Sequence, residues 1–491
     1  MRIQFIGLYL FLWSFSSYSQ VHLGPGQAYL NIQSAVLANA VKAGDTVYLH
    51  AGSYAGYQGV TNLKGNKSNW IVITRYKNDV IDISGGWQFI SCEYIKFQEL
   101  NFKGNAQHPG RLFSVDNGGS CTTQSKFIIV DNCSFTNTLD AAAIASFKFG
   151  GVDSFEVKNN LFKDIMVCSA MDYNVCHNGI IKGNHFENCL TGGHIKGGAS
   201  NITMEQNLFI NASQASWVAF ELGGDTGAQF YCPEDKFEVK NLNFYSNIII
   251  GGYRGLALSS AVDCKVINNT FYNCGQATIR FLTTSVLYPL LSGNIVENNI
   301  FAFGASAYIN GGVQPAGAVS FSNNIYYSII NSNFNGPYWD TPDLDAIKDP
   351  NPINYGSTTS IFLDGPNNDF HLLTGSPAIG AGKTETEPVY DFYGKVFSSS
   401  SRSIGAIESD LSTGNYTPKD NTSTIDLIIY PNPAKDYIII KTDKNQIIKI
   451  LNLFGKKLLE ANTNHEIYIG NLNRGIYLLI ADNKVYQIVK I

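Results

Sequence analysis

One short phrase returns through the middle of this 491-residue chain. It reads "NNLF" at Asn159, "GNHF" at Gly183, "QNLF" at Gln206, "SNII" at Ser246, "NNTF" at Asn268, "NNIF" at Asn298 and "NNIY" at Asn323, with a looser copy, "DNCSF", from Asp131. The copies lie about 22 to 30 residues apart, with one gap of about 40. That is the range of a solenoid, in which each coil is one unit stacked on its neighbours. Around each copy apolar residues alternate, as in "SNITMEQNLFINA" and "CKVINNTFYNC", and a period of two means strands. Short strands, a repeated Asn and no helical periodicity predict an all-β chain built on a right-handed parallel β-helix. Asn tolerates the left-handed backbone, so it turns the corner between strands. Stacked on successive coils, its side chains would form a ladder, and these asparagines are assigned a structural role.

Composition agrees. Charged residues are only 15%, while Gly (46), Tyr (27) and Phe (30) are plentiful, which suits strands and tight turns and is poor for helix. A formal net charge of −5 argues against a nucleic-acid binder, and any attraction to an anion must be local. The first residues, "MRIQFIGLYLFLWSFSSYSQ", carry Arg2, an apolar run and a small-x-small site before Gln20. Residues 1–19 are read as a signal peptide; the apolar run is shorter than the ~20 residues a membrane span needs. No later segment is apolar enough to cross a bilayer. The nine Cys leave at least one thiol unpaired, no CxxC spacing suggests zinc, and Cys189 and Cys274 share one repeat position as small buried apolar residues.

The flanks of the array carry resemblances. "YLNIQSAVLANAVKAGDTVYLHAGSY", 29–54, resembles the opening of pectate-lyase-like β-helices, where a short helix caps the open end and a Gly-Asp turn, here Gly44-Asp45, leads into the first strand. "DFHLLTGSPAIGAG" and "YDFYGKVFSSSSRSIGAIE", within 369–408, resemble the closing segment of secreted bacterial β-helix proteins. The β-helix domain is placed at 20–408 and a polar linker at 409–424. Beyond it, "IIYPNPAKDYIIIK", "IKILNLFGKKLLE" and "LNRGIYLLIADNKVYQIVKI" resemble the C-terminal sorting domain of the Bacteroidetes type IX secretion system. The resemblance implies a small β-sandwich over 425–491, engagement of the type IX secretion machinery, and a secreted or cell-surface protein, expected to be monomeric.

One strand of each coil aligns by counting from the repeat: "SAMDYN" (169–174), "GGHIKGG" (192–198), "WVAFELGG" (217–224), "GLALSS" (255–260), "TIRFLT" (278–283) and "SAYINGG" (306–312). Ile195, Val218, Phe220, Leu256, Leu258, Ile279 and Phe281 alternate as core residues. Between them His194, Lys196, Ala219, Glu221, Ala257, Ser259 and Arg280 are expected to face solvent, with Asp172 and, upstream, Lys148 in the same row. At ~4.8 Å between strands, Asp172, Lys196 and Glu221 are expected side by side on three consecutive coils. This is a shallow groove floored by small residues, able to hold an extended polysaccharide.

Two readings of the row stay open. It is a surface salt-bridge ladder of little energetic weight, or it is an active site. In the second, Asp172 and Glu221 would hold Ca²⁺, a hard cation that favours oxygen ligands, and Lys196 or His194 would take a proton from C5 of a uronate. The arrangement resembles β-helix polysaccharide lyases of the chondroitinase B and alginate lyase group, which implies a Lys base, here Lys196, with an Arg nearby. Glu221 stands where that group would have Arg; Arg254 and Arg280 are the nearest candidates, Arg280 roughly 14 Å from Lys196. Lys148, Glu221, Asp225, Tyr231 and Tyr288 are expected to contact substrate, the tyrosines either stacking on sugars or packing on the coil. The leading expectation is a lyase acting on an anionic, uronate-containing polysaccharide by β-elimination. The alternatives are a β-helix glycoside hydrolase using Glu221 with Asp172 or Asp225, and a non-catalytic carbohydrate-binding surface protein.

Overall fold

A computed structural model describes residues 20–409 and 428–490, apart from short stretches at 109, 212–216, 233–235, 311–316, 341–347, 385–386, 431–433, 443–444, 452–456, 473–474 and 482–483. The expected leader, 1–19, and nearly all of the expected linker lie outside the described residues. The repeat array is a parallel β-helix. One face is a run of 12 parallel strands from Gln20–Leu23 to Val319–Ser322, each from one coil. The other faces form a second sheet whose strands also pair in parallel from coil to coil. The capping helix, Ile32–Leu37, buries Ile32 and Ala35 and starts at a capping box in which Asn31 and Ser34 satisfy each other's backbone N–H.

The repeated phrase divides its labour by position. The first residue takes the left-handed corner: Asn159 (φ +57), Gly183 (+64), Gln206 (+58), Ser246 (+52), Asn268 (+54), Asn298 (+55) and Asn323 (+52). The second builds the ladder. Asn160 Nδ2 donates to Asn184 Oδ1 (2.9 Å), Asn184 to Asn207 (3.0 Å), Asn207 to Asn247 (2.9 Å), Asn247 to Asn269 (3.1 Å), Asn269 to Asn299 and Asn299 to Asn324 (both 3.0 Å). These side chains are buried, so the ladder also satisfies backbone groups that the corner would otherwise leave without partners. The last residue stacks in the core: Phe135, Phe162, Phe186 and Phe209 follow one another at 5.0, 5.0 and 4.4 Å between ring centroids.

The corner residues also have a partner that repeat counting does not show. The closing segment runs back along them. Ser246 Oγ donates to the Tyr390 carbonyl (2.8 Å), and Gln206 donates to that of Asp391. Asn268 binds the Ser403 and Gly405 carbonyls (both 2.9 Å) and accepts from Arg402 Nη1 (3.0 Å). Asn298 exchanges bonds with the Lys383 backbone. Ile404, Ala406 and Ile407 complete an apolar cluster with Ile248, Ile300 and Ile325 of the coils. At the C-terminal end, three-stranded and four-stranded antiparallel sheets surround a core that includes Ile438, Ile440, Ile448, Ile450, Leu479 and Ile488.

Candidate active site

The site face is set by strand register. Lys148 pairs with Asp172, Asp172 with His194, His194 with Glu221, Glu221 with Ala257 and Ala257 with Arg280, so these residues form one column across six coils. Lys196 belongs to the next column, opposite Asn174. The expected trio Asp172–Lys196–Glu221 is therefore corrected: His194 occupies the middle place. The cause is local. Ile165 pairs with Cys189 but Ser169 pairs with Thr191, so two residues of the upstream strand are looped out. A two-residue slip keeps every side chain on its face and changes only its partner.

Asp172 is the centre of this column. Its side chain is 1% exposed. Oδ1 lies 3.3 Å from His194 Nε2 and Oδ2 lies 3.2 Å from Lys148 Nζ, while Asn174 Nδ2 contacts both oxygens at 2.9 Å. Burial alone would raise its pKa, but contact with His194 and the charges of His194, Lys148 and Lys196 hold it well below the usual carboxylate range. Asp172 is thus a dry, ionised carboxylate that collects cations.

A wall rises beside Lys196. It is made by the segments 223–232, 236–238 and 283–290. Gly224 (φ +150) lets the backbone cross over the lysine: a Cβ there would stand 3.0 Å from Lys196 Cδ. Glu238, fully buried, accepts from Gly197 N (3.0 Å), Thr226 N (2.8 Å) and Thr226 Oγ1 (2.8 Å), tying the wall to the residue after Lys196. Thr284 Oγ1 bonds Ser259 Oγ (2.7 Å) and the Gly224 carbonyl (3.1 Å). The Cys121–Cys232 disulfide, with a Cα–Cα distance of 5.7 Å, carries this wall back to the loop after Phe113–Asp116. Ala219, Ala257 and Ser259, expected to face solvent, are buried, and for Ser259 the cover is Thr284. His194 itself is only 9% exposed.

The remaining expected residues take varied places. Asp225 is exposed, and its Oδ1 accepts from Val286 N (3.1 Å), joining the two wall segments. Tyr231 and Tyr288 pack edge to face on each other, 5.0 Å between centroids; burial, then Glu238, raises the Tyr231 pKa. Arg254 lies over Tyr253 and bonds Gln276, away from His194. Cys189 and Cys274 are free and buried, as read from the repeat. Calcium does not fit the pair expected to hold it. Asp172 has both oxygens turned to nitrogen donors, and His194 separates it from Glu221 by two coils; among the described residues no group of three or more His, Cys, Asp or Glu could hold a metal. Asn174, Thr226 and Glu238 were missed. Asn174 was legible, since it shares the parity of Asp172 two residues before. Glu238 sits in an insertion with no pattern, 41 residues from the Gly197 amide it binds.

No curated protein matches the chain. Among solved structures it is similar to pectate lyase Pel9A, at 12% identity over 80% of this chain and 98% of that one, TM-score 0.45. XylC in complex with xylose gives 12% identity over 65% and 77%, TM-score 0.45. The polygalacturonase from Erwinia carotovora ssp. carotovora gives 13% over 68% and 96%, TM-score 0.42. No described helix is long and apolar enough to cross a membrane. Residues 428–491 match the family described as "Secretion system C-terminal sorting domain", so the chain carries a type IX sorting domain and is exported to the cell surface or beyond.

Proposed function

We propose that this protein is a secreted polysaccharide lyase that cleaves a uronate-containing polymer by β-elimination. The observation that carries the reading is His194 held against a dry, ionised Asp172 between two lysines, Lys148 and Lys196. His194 Nε2 faces Asp172, which leaves Nδ1 to accept the C5 proton. Asp172 favours that tautomer and stabilises the imidazolium once it forms. The C5–H electrons become the C4=C5 double bond, and the C4–O4 bond breaks. Charge that builds on the uronate carboxylate is met by Lys196 and Lys148, and the departing oxygen takes a proton from Lys196 or water. No step needs a metal. Hydrolysis would need two carboxyl groups at the sugar. Asp172 is sequestered by its cations, and Asp225 is engaged in holding the wall.

The test is to incubate the exported form with pectin, alginate, glycosaminoglycans and neutral glycans, with and without chelator. The expected result is an ultraviolet-absorbing unsaturated product from a uronate polymer, unaffected by chelator and abolished by His194→Ala. New reducing ends without that absorbance would replace the lyase by a hydrolase. Full activity in both His194→Ala and Lys196→Ala would overturn the site.

A further inference from the structure

Further along the same column the face changes character. Arg280 follows Glu221 and Ala257, about 14 Å from His194 at the ~4.8 Å step between strands. Its side chain is half-buried, yet it makes no hydrogen bond or ion pair among the described residues. Arg254 opens the strand of the preceding coil, where it pairs with Ala277, three residues before Arg280. Burial and the neighbouring Arg254 charge pull the Arg280 pKa down, with Glu221 and Tyr308 acting the other way. On the far side, the next two coils set Tyr308 on Tyr338, stacked at 5.5 Å and 19°, with Tyr338 65% exposed.

Guanidinium grips carboxylate through two parallel N–H bonds. An exposed tyrosine face adds a flat apolar surface with a polar tip, suited to a ring that is apolar on its faces and hydroxylated at its rim. At about 14 Å from His194, Arg280 is too far away to act on the same bond. We propose that Arg254, Arg280 and the Tyr308–Tyr338 stack form a distal subsite for a carboxylate-bearing sugar of an acidic glycan. The inference rests on reading this face as a glycan groove, but not on cleavage at His194.

The experiment is calorimetric binding of trimers and octamers of galacturonate and of alginate, with a neutral xylose octamer and a sulfated, carboxylate-free carrageenan octamer as controls. The full exported protein is used in a His194→Ala background, so that ligands stay intact. An acidic octamer is expected to bind, and Arg254→Gln with Arg280→Gln should weaken it about tenfold. Tyr338→Ala should weaken it less, Arg280→Lys should restore part of the loss, and the acidic trimer should be indifferent. Unchanged octamer affinity in the double variant, no binding of any acidic octamer, or equal loss for the neutral or sulfated octamer would each overturn the subsite. The outcomes separate from the lyase reading. An unsaturated product from the wild type with arginine-independent octamer binding spares the lyase and sinks the subsite. Arginine-dependent binding with no glycan cleaved does the reverse.

Discussion

His194 Nε2 stands 3.3 Å from Asp172 Oδ1, one coil away, on a carboxylate almost wholly removed from water. In the proposed lyase mechanism an acid so placed orients the imidazole and does not itself meet substrate. His194→Ala should cost about 10²–10⁴ in kcat, the usual weight of a general base. Asp172→Asn should cost about 100-fold through misorientation, in kcat more than in KM. Steady-state kinetics on the polymer identified by screening decides this. An Asp172→Asn enzyme with only KM altered would move Asp172 from positioning the base to binding.

Asp172 also predicts a pH dependence of stability. Its folded pKa is depressed below the ordinary 3.8. Its stabilisation is therefore complete above that value and is lost as pH falls from it toward the lower folded value. The difference in Tm between wild type and Asp172→Asn should shrink as pH falls below about 4. At neutral pH the variant should be about 3 kcal/mol less stable, because Lys148 and His194 lose a buried partner. A difference that grows as pH falls below about 4 would contradict the assignment.

The two positions of the repeat should respond differently. Asn207→Ala removes the acceptor for Asn184 N and Nδ2 (2.9 and 3.0 Å) and the donor to the Ile181 carbonyl (3.0 Å). It should cost about 3 kcal/mol in urea unfolding. Asn159→Gly, at a left-handed corner, should cost less than about 1 kcal/mol, since glycine adopts that conformation freely. Equal costs would show that corner and ladder are not separate roles.

The wall beside Lys196 depends on Cys121–Cys232 and on Glu238. Replacing both cysteines by Ser should speed proteolysis within 223–238 and lower activity while the solenoid's circular dichroism persists, because the wall opens locally rather than globally. Glu238→Gln keeps the shape but trades one acceptor oxygen for a donor facing Thr226 or Gly197. It should reproduce the activity loss with the disulfide intact. Mass-spectrometric mapping of the first cuts is the readout, and initial cleavage elsewhere in the coils would count against a local opening.

Much was legible in the sequence, because the physics involved is periodic. Alternation within strands and a phrase repeated at coil length dictate a parallel β-helix, and a left-handed corner favours Asn or Gly, though Gln206 and Ser246 also take it. The outward parity of Lys148, Asp172, His194, Lys196, Glu221 and Arg280 follows from the same alternation. The neighbour relations did not follow. Two residues looped out between Ile165 and Ser169 put His194, not Lys196, beside Asp172, and nothing in the repeat announces where a strand gains residues. The two insertions that wall the groove were legible, but their ties were hidden: Glu238 meets Gly197, and Cys232 meets Cys121 across 111 residues, through contacts that no local pattern encodes. The sequence by itself determined the architecture and the face on which charged side chains stand, because both depend on interactions between near neighbours repeated many times. Only the tertiary structure decided which charges touch and which are covered, because burial and pairing depend on single long-range contacts made once.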